Sequence, residues 1–339
     1  MASYDPGIRR QSSPTTRQAA SGAVEQEQNE PVVSRPAPPL VFAQPPVQRR
    51  QADAPIQRAD LLNARQLTAA RAFYAGQPTV YTAAIIREIQ QAVGVPATGT
   101  IDDATLQAIA THQSQRGQTV DGKAGPQSLP ALVRHGLAQT SSVLIFAIGY
   151  NQVDFSTLTT PAQRSAAIAR LANQQLQAAG VPNVTFTVQN MADLGQFDFT
   201  TWSLTLGQAA LSVATPTQAQ LDDIANTVYH EARHAEQWYN IAQLRAGQGR
   251  NAAQIASELG IPNNIATAAV ADPIAPGSAK ALIAQNWYNN IYGAGGARRN
   301  RILASGTFAQ YRALAEEHDA WRVGDELDDT NSLLHSIGI

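Results

Sequence analysis

The chain has 339 residues, 44% of them hydrophobic, with a formal net charge of -2 and no cysteine. That is length for two modest domains plus tails, and the near-neutral balance argues against a nucleic-acid binder. Without cysteine there are neither disulfides nor thiolate ligands, so any metal must be held by His, Asp or Glu.

Lysine occurs only at Lys123 and Lys280, and Arg supplies the other 22 of the 24 basic residues. The bias fits a GC-rich genome, or a protein that avoids lysine modification inside a foreign cell. Residues 1–59 hold nine of the 19 prolines and few large apolar side chains. Such a segment cannot bury enough surface to offset chain entropy, and it reads as a disordered Pro/Gln/Arg-rich tail. Its role is either that of a plain linker or that of a delivery or docking signal. It has no apolar run of the signal-peptide kind, so a chain made in the cytoplasm is expected to leave by lysis or through a dedicated machine. The most apolar stretch, Val143 to Ile148, is too short to span a bilayer and reads as a strand, so no membrane span is expected.

Residues 60–74 read as a helix leading into a first domain, 60–138. Within it, ATGTIDDATLQAI and VDGKAGPQSLPAL align at a constant offset of 23, pairing Gly99 with Gly122, Ile101 with Ala124, Thr105 with Ser128, Leu106 with Leu129 and Ile109 with Leu132. Each copy reads as a Gly turn, a Thr or Ser cap region and a short helix, preceded by a further helix (TAAIIREIQQAVG, then LQAIATHQSQRG). The pattern changes at about residue 142. SSVLIFAIGY reads as a strand, and PAQRSAAIARLANQQLQAAG as a helix closed by Gly180. VTFTVQN and FTTWSLTLGQAALSV read as strands. A long helix follows from Thr215 or Thr217 to Gly247, and everything after it looks helical. The fold class expected is α+β, mostly helical, with the second domain over 139–339.

The long helix carries HEARHAEQW, residues 230–238. Residues advance about 100° each along a helix, so His230 and His234 share one face, one turn apart. Two imidazoles so placed can bind one Zn2+ at about 2.0–2.1 Å. Glu231 sits one step round, where a general base can take a proton from metal-bound water as it attacks a carbonyl. A bland alternative is two solvated histidines on a polar face, but Val228, Tyr229, Ala232 and Trp238 surround the motif with apolar groups.

A catalytic zinc needs a third protein ligand. Gln237 and Asn240 stand where an HExxHxxGxxH extension would place Gly and His, so the third ligand is expected to be a downstream carboxylate. In TFAQYRALAEEHDAWRVGDEL, read as one helix, Tyr311, Leu314, His318 and Trp321 follow inward spacing. Glu317 lies between Leu314 and Trp321 and is preferred to Glu316, whose neighbours Arg312 and Asp319 are polar. Asp319 is a candidate acceptor for a ligand histidine. Arg233 and Glu236 flank the site with a structural role expected. Tyr288 could donate to an oxyanion but is more readily core. The expected site is thus His230, His234 and Glu317 as metal ligands with Glu231 catalytic.

Three resemblances follow. The residues Gln90, Gly99, Thr105, Gln113, Val120, Asp121, Gly122, Gly125 and Leu132 make residues 77–138 similar to the small helical peptidoglycan-binding domain; His112 and Pro126-Gln127-Ser128 depart from its commonest form. The strand-bearing lobe, the HEARH helix and the later Glu317 resemble the gluzincin class of zinc metallopeptidases. Here Glu317 comes 83 residues after His234, where familiar members leave about 20 and continue with ExxxD. YRALAEEHDAW and HEARHAEQW also resemble segments of HExxH proteins encoded beside bacterial contractile injection systems. Together these imply a zinc metallopeptidase acting on a peptide or protein, either a cell-wall peptidase or an injected toxin or effector. Residues 77–138 would then engage peptidoglycan and the tail an injection apparatus, with action outside the producing cell or in a target cell. The alternative from another class is a non-catalytic peptidoglycan-binding or structural protein with a degenerate zincin domain.

Overall fold

The computed structural model describes residues 61–338; the tail expected over 1–59 lies outside them. The described chain is α+β and mostly helical, with one small sheet. It opens with α1 (Ala64–Ala75), α2 (Ala83–Ala92), α3 (Asp103–Gln115) and the short α4 (Leu129–Leu132). Asn63, Thr82 and Asp102 start the first three by accepting an N–H from the third helical residue, which satisfies a donor the helix itself cannot.

The internal repeat has a physical cause. Gln90 Nε2 donates to Thr98 Oγ1, the Thr100 carbonyl and Thr105 Oγ1, and its Oε1 accepts the Gly99 N–H. Gln113 does the same 23 residues on, donating to Asp121 Oδ1 and the Lys123 carbonyl and accepting the Asp121 and Gly122 N–H groups. Each buried amide thus plugs the turn after its own helix. Gly99 and Gly122 both hold φ near +70° to +80° (78° and 69°), a region open to glycine at no steric cost.

A 3-10 turn (Gly136–Ala138) leads to α5 (Thr140–Asn151) and α6 (Pro161–Ala178). The strand expected over SSVLIFAIGY is therefore a helix. A short unbroken apolar run does not distinguish strand from buried helix. Here Val143, Phe146, Ala147 and Tyr150, at i, i+3, i+4 and i+7, are buried while Leu144 and Ile145 face out. The sheet holds β1 (Thr185–Gln189), β2 (Gly195–Asp198) and β3 (Ser203–Gly207) in the order β1-β3-β2. β1 runs parallel to β3 and β2 antiparallel. β2 was not foreseen. The strand expected over 199–213 shrinks to β3, because the chain turns at Trp202 (φ 54°) and enters α7 (Gln208–Leu211) straight after Gly207.

α8 (Gln218–Gly247) follows, started by Thr217 in a reciprocal capping pair with Gln220. It is buried from Val228 to Leu244. α9 (Ala252–Leu259), α10 (Asn263–Ala271), α11 (Ala279–Ile291), α12 (Gly296–Ser305), α13 (Phe308–Arg312) and α14 (Ala315–Ser336) complete the chain. α14, α10, α11 and β2 pack round α8. One cluster of buried apolar residues runs from Leu62 to Leu334, across the boundary expected at 138/139. Among the described residues no helix is long and apolar enough to cross a membrane.

Candidate metal centre

The single helix expected over 307–327 is broken. α13 ends at Arg312, and α14 starts at Ala315 behind a non-helical Leu314 whose side chain is fully buried. The break puts Glu316 and Glu317 in the first turn of α14, where the positive end of the helix dipole favours a carboxylate. It also turns His318, expected to face inward, out to solvent, and leaves Trp321 half-buried.

The break separates the two adjacent glutamates by role. Glu317 faces α8: its Oε2 lies 3.4 Å from His234 Nε2 and 3.7 Å from His230 Nε2, and the two Nε2 atoms are 3.1 Å apart. Glu316 turns away to Arg299 and Asn290. Four-coordinate ions bound at about 2.0–2.2 Å require neighbouring donor atoms roughly 3.3–3.6 Å apart, and the three separations here, 3.1, 3.4 and 3.7 Å, bracket that spacing. Glu317 Oε2 is buried and has no hydrogen-bond partner. A charged oxygen left in that state asks for a cation. The three residues are the one group of metal-ligating type found together among the described residues.

A second ring of contacts fixes His234. Gln237 Nε2 donates to the Glu316 carbonyl (2.9 Å) and to Asp319 Oδ2 (3.0 Å), so its Oε1 must face His234 Nδ1 at 2.8 Å. In its neutral form, the one that binds a metal, His234 then carries its proton on Nδ1 and presents its Nε2 lone pair towards Glu317. The acceptor expected from Asp319 is thus supplied by Gln237. Asp319 instead takes Arg233 Nε (2.8 Å) and Arg322 (2.9 Å), while Arg233 also bonds Glu236 (2.6 Å). Arg233, Arg322, Glu236 and Asp319 make a buried network that continues through Arg322 to Glu326 at 3.0 Å. The His230 ring packs edge-on to Trp321 at 4.7 Å, and its Nδ1 has no partner.

Glu231 is held from the sheet: the Phe197 N–H of β2 donates to its Oε2 at 2.9 Å. Burial lifts the Glu231 carboxyl above the ordinary carboxylate range, against the lowering pull of His230, His234 and that N–H. Burial would also raise Glu317, but His234 and His230 hold it far below. His234 is lifted to about 9, the Glu317 charge overcoming the cost of burial. The Tyr311 hydroxyl is pushed up by burial and by the nearby Glu317 charge.

A cavity of about 40 Å³ opens at the cluster, lined by Glu231, His234 and Glu317 on one side and by Phe197, Trp238, Arg299 and Tyr311 on others. Tyr288 is not part of it: its hydroxyl bonds Glu258 at 2.6 Å, and α12 and α13 intervene before Glu317. Reading the sequence missed Gln237 as the orienting group, although its i+3 spacing from His234 could have shown it. Arg299 and the Phe197 N–H left no local signal. No family model, curated protein or solved structure matches the chain.

Proposed function

We propose that the protein is a zinc-dependent metallopeptidase, with His230, His234 and Glu317 as the ligands and Glu231 as the proton carrier. The observation that supports it is the orphaned, buried Glu317 Oε2 set 3.4 and 3.7 Å from two histidine Nε2 atoms, close to the donor spacing of a tetrahedral ion. Two imidazoles and a carboxylate, with no thiolate in the chain, suit zinc. Zinc in such a site supplies Lewis acidity, polarising a carbonyl and making water more acidic.

This chain's own groups would move the protons. The Phe197 N–H anchors Glu231 Oε2, so Oε1 is the oxygen that takes a proton from the attacking water and passes it to the departing amine. A raised carboxyl pKa suits that two-way traffic. Tyr311, in the cavity wall with Glu231 and Glu317, would donate to oxygen charge developing at the carbonyl. Phe197, Phe199 and Trp238 keep the surroundings apolar.

The resemblances extend the proposal to an injected effector or cell-wall peptidase, with residues 77–138 as its peptidoglycan anchor. Co-sedimentation of the protein with purified sacculi separates a wall peptidase from an effector with another target. The smallness of the cavity favours one other reading: a site that holds metal without turnover. Zinc content and peptide hydrolysis measured together decide. One zinc per chain is expected, lost in His234→Ala and Glu317→Ala. Glu231→Gln should keep zinc and lower kcat by about 100- to 10,000-fold. Unchanged hydrolysis in Glu231→Gln sinks the mechanism, and zinc without hydrolysis of any peptide supports the second reading.

A further inference from the structure

Arg299 reaches the cavity from α12 and shares its wall with Glu231, His234 and Glu317. Its side chain is only 12% exposed. Nε donates to Glu316 Oε1 at 2.6 Å, and Glu316 is itself fully buried and gripped by Asn290. Among the described residues, the two terminal nitrogens of Arg299 have no hydrogen-bond partner, and neither is sealed from solvent. A guanidinium in the cavity wall is thus clamped at Nε, with the fork of its two terminal nitrogens left without a partner.

We propose that this fork selects substrates: Arg299 binds a carboxylate of the peptide beside the scissile bond, and that carboxylate is the C-terminus of the chain. The paired N–H groups of a guanidinium match the two oxygens of a carboxylate, a stronger contact than any neutral hydrogen bond. The other walls are Phe197, Phe199, Trp238, Leu303 and Tyr311, so Tyr311 is the one rival side-chain donor. Glu231 and Glu317 repel an incoming anion, and Arg299 is the permanently charged cation among the lining residues. Size favours the terminus over an internal acidic side chain. The cavity, about 40 Å³, has room for a carboxylate end group with the rest of the peptide lying outside it. The reaction is then removal of a C-terminal residue. The C–N bond breaks, the hydroxyl of water goes to the acyl carbon, and its proton goes to the amine of the released amino acid.

The assignment rests on the metallopeptidase reading, and its test keeps the two apart. Binding is measured by calorimetry on full-length Glu231→Gln protein offered zinc, which spares the peptide. Three forms of one short peptide serve as probes: a free C-terminal acid without acidic side chains, its C-terminal amide, and an amide ending in glutamate. The free acid should bind at least about tenfold more tightly than its amide, and the glutamate amide should bind like the plain amide. Adding Arg299→Met together with Glu316→Gln removes both charges, so neither is left buried alone, and should abolish the preference; Arg299→Lys should restore part of it. Circular dichroism checks folding, and zinc is counted in every sample. Equal binding of acid and amide by zinc-loaded protein, or no binding of any probe, overturns the role of Arg299 while leaving the metal site standing. A preference for the acid in protein that takes up no zinc keeps Arg299 and removes the metal reading. Tight binding of the glutamate amide overturns the C-terminus as the source of the carboxylate.

Discussion

His234 is the residue whose orientation depends most on its neighbours. Its Nδ1 faces Gln237, and Gln237 cannot turn over because its amide nitrogen is spent on Asp319 and the Glu316 carbonyl. The backbone beside Glu317 therefore helps orient His234. Gln237→Ala removes the acceptor from Nδ1 and frees the ring to rotate. Zinc affinity should fall by about 10- to 100-fold, measured by competition with a chromophoric chelator, while the circular dichroism spectrum stays unchanged. Unaltered affinity would mean that the helix alone orients His234.

Among the elements, α6 and α14 show how far single residues organise their surroundings. Arg164 of α6, 4% exposed, meets no acid. It donates instead to the carbonyls of Leu158 (2.8 Å), Leu211 (3.0 Å), Ala214 (3.2 Å), Phe155 (3.4 Å) and Val213. It thereby ties the loops on both sides of the sheet to one helix. Arg164→Met would leave these carbonyls without a donor, and stability should drop by about 3 kcal/mol, read from equilibrium denaturation in urea. A loss under about 0.5 kcal/mol, the usual size at an uninvolved surface site, would show that water replaces the guanidinium. In α14 the break at Leu314 makes Glu317 the third helical residue, close to unsatisfied N–H groups and the positive end of the dipole. A continuous helix would not provide that setting.

Over the whole molecule, the helical repeat is keyed into the HEARH helix and into α14. Glu236 accepts the Leu137 N–H at 3.0 Å, the Tyr229 hydroxyl donates to the Leu137 carbonyl at 2.8 Å, and Arg233 reaches the His135 carbonyl. Arg134 forks onto Glu326 at 3.0 and 3.2 Å, and Arg322 donates to the Pro130 carbonyl. At the crossing a Cβ on Gly136 would stand 1.9 Å from Glu236 Oε1, so only glycine fits. These contacts predict one calorimetric unfolding transition for the full chain, with van't Hoff and calorimetric enthalpies equal. A protein starting at residue 139 should fail to unfold cooperatively, its Arg233–Glu236 pair having lost its cover. Two resolved transitions in the full chain would instead make the repeat an independent domain.

What could be read from the sequence was local. The two histidines lie one turn apart on any helix, and Thr217 caps that helix through a residue three places on. The repeat of 23 showed in Gly99 and Gly122 because each turn is plugged by a glutamine on the adjoining helix. Even the preference for Glu317 rested on its near neighbours Leu314 and Trp321, though the regular helix assumed for it does not exist. The apolar run at 143–148 misled because strand and buried helix share that composition. Everything that distinguishes Glu317 from Glu316 in space, and everything that brings Arg299, Tyr311 and the Phe197 N–H to one cavity, joins segments of the chain far apart in sequence. Only tertiary packing decides such contacts: helical periodicity settles where a side chain points round its own helix, and the rest of the core settles what it meets there.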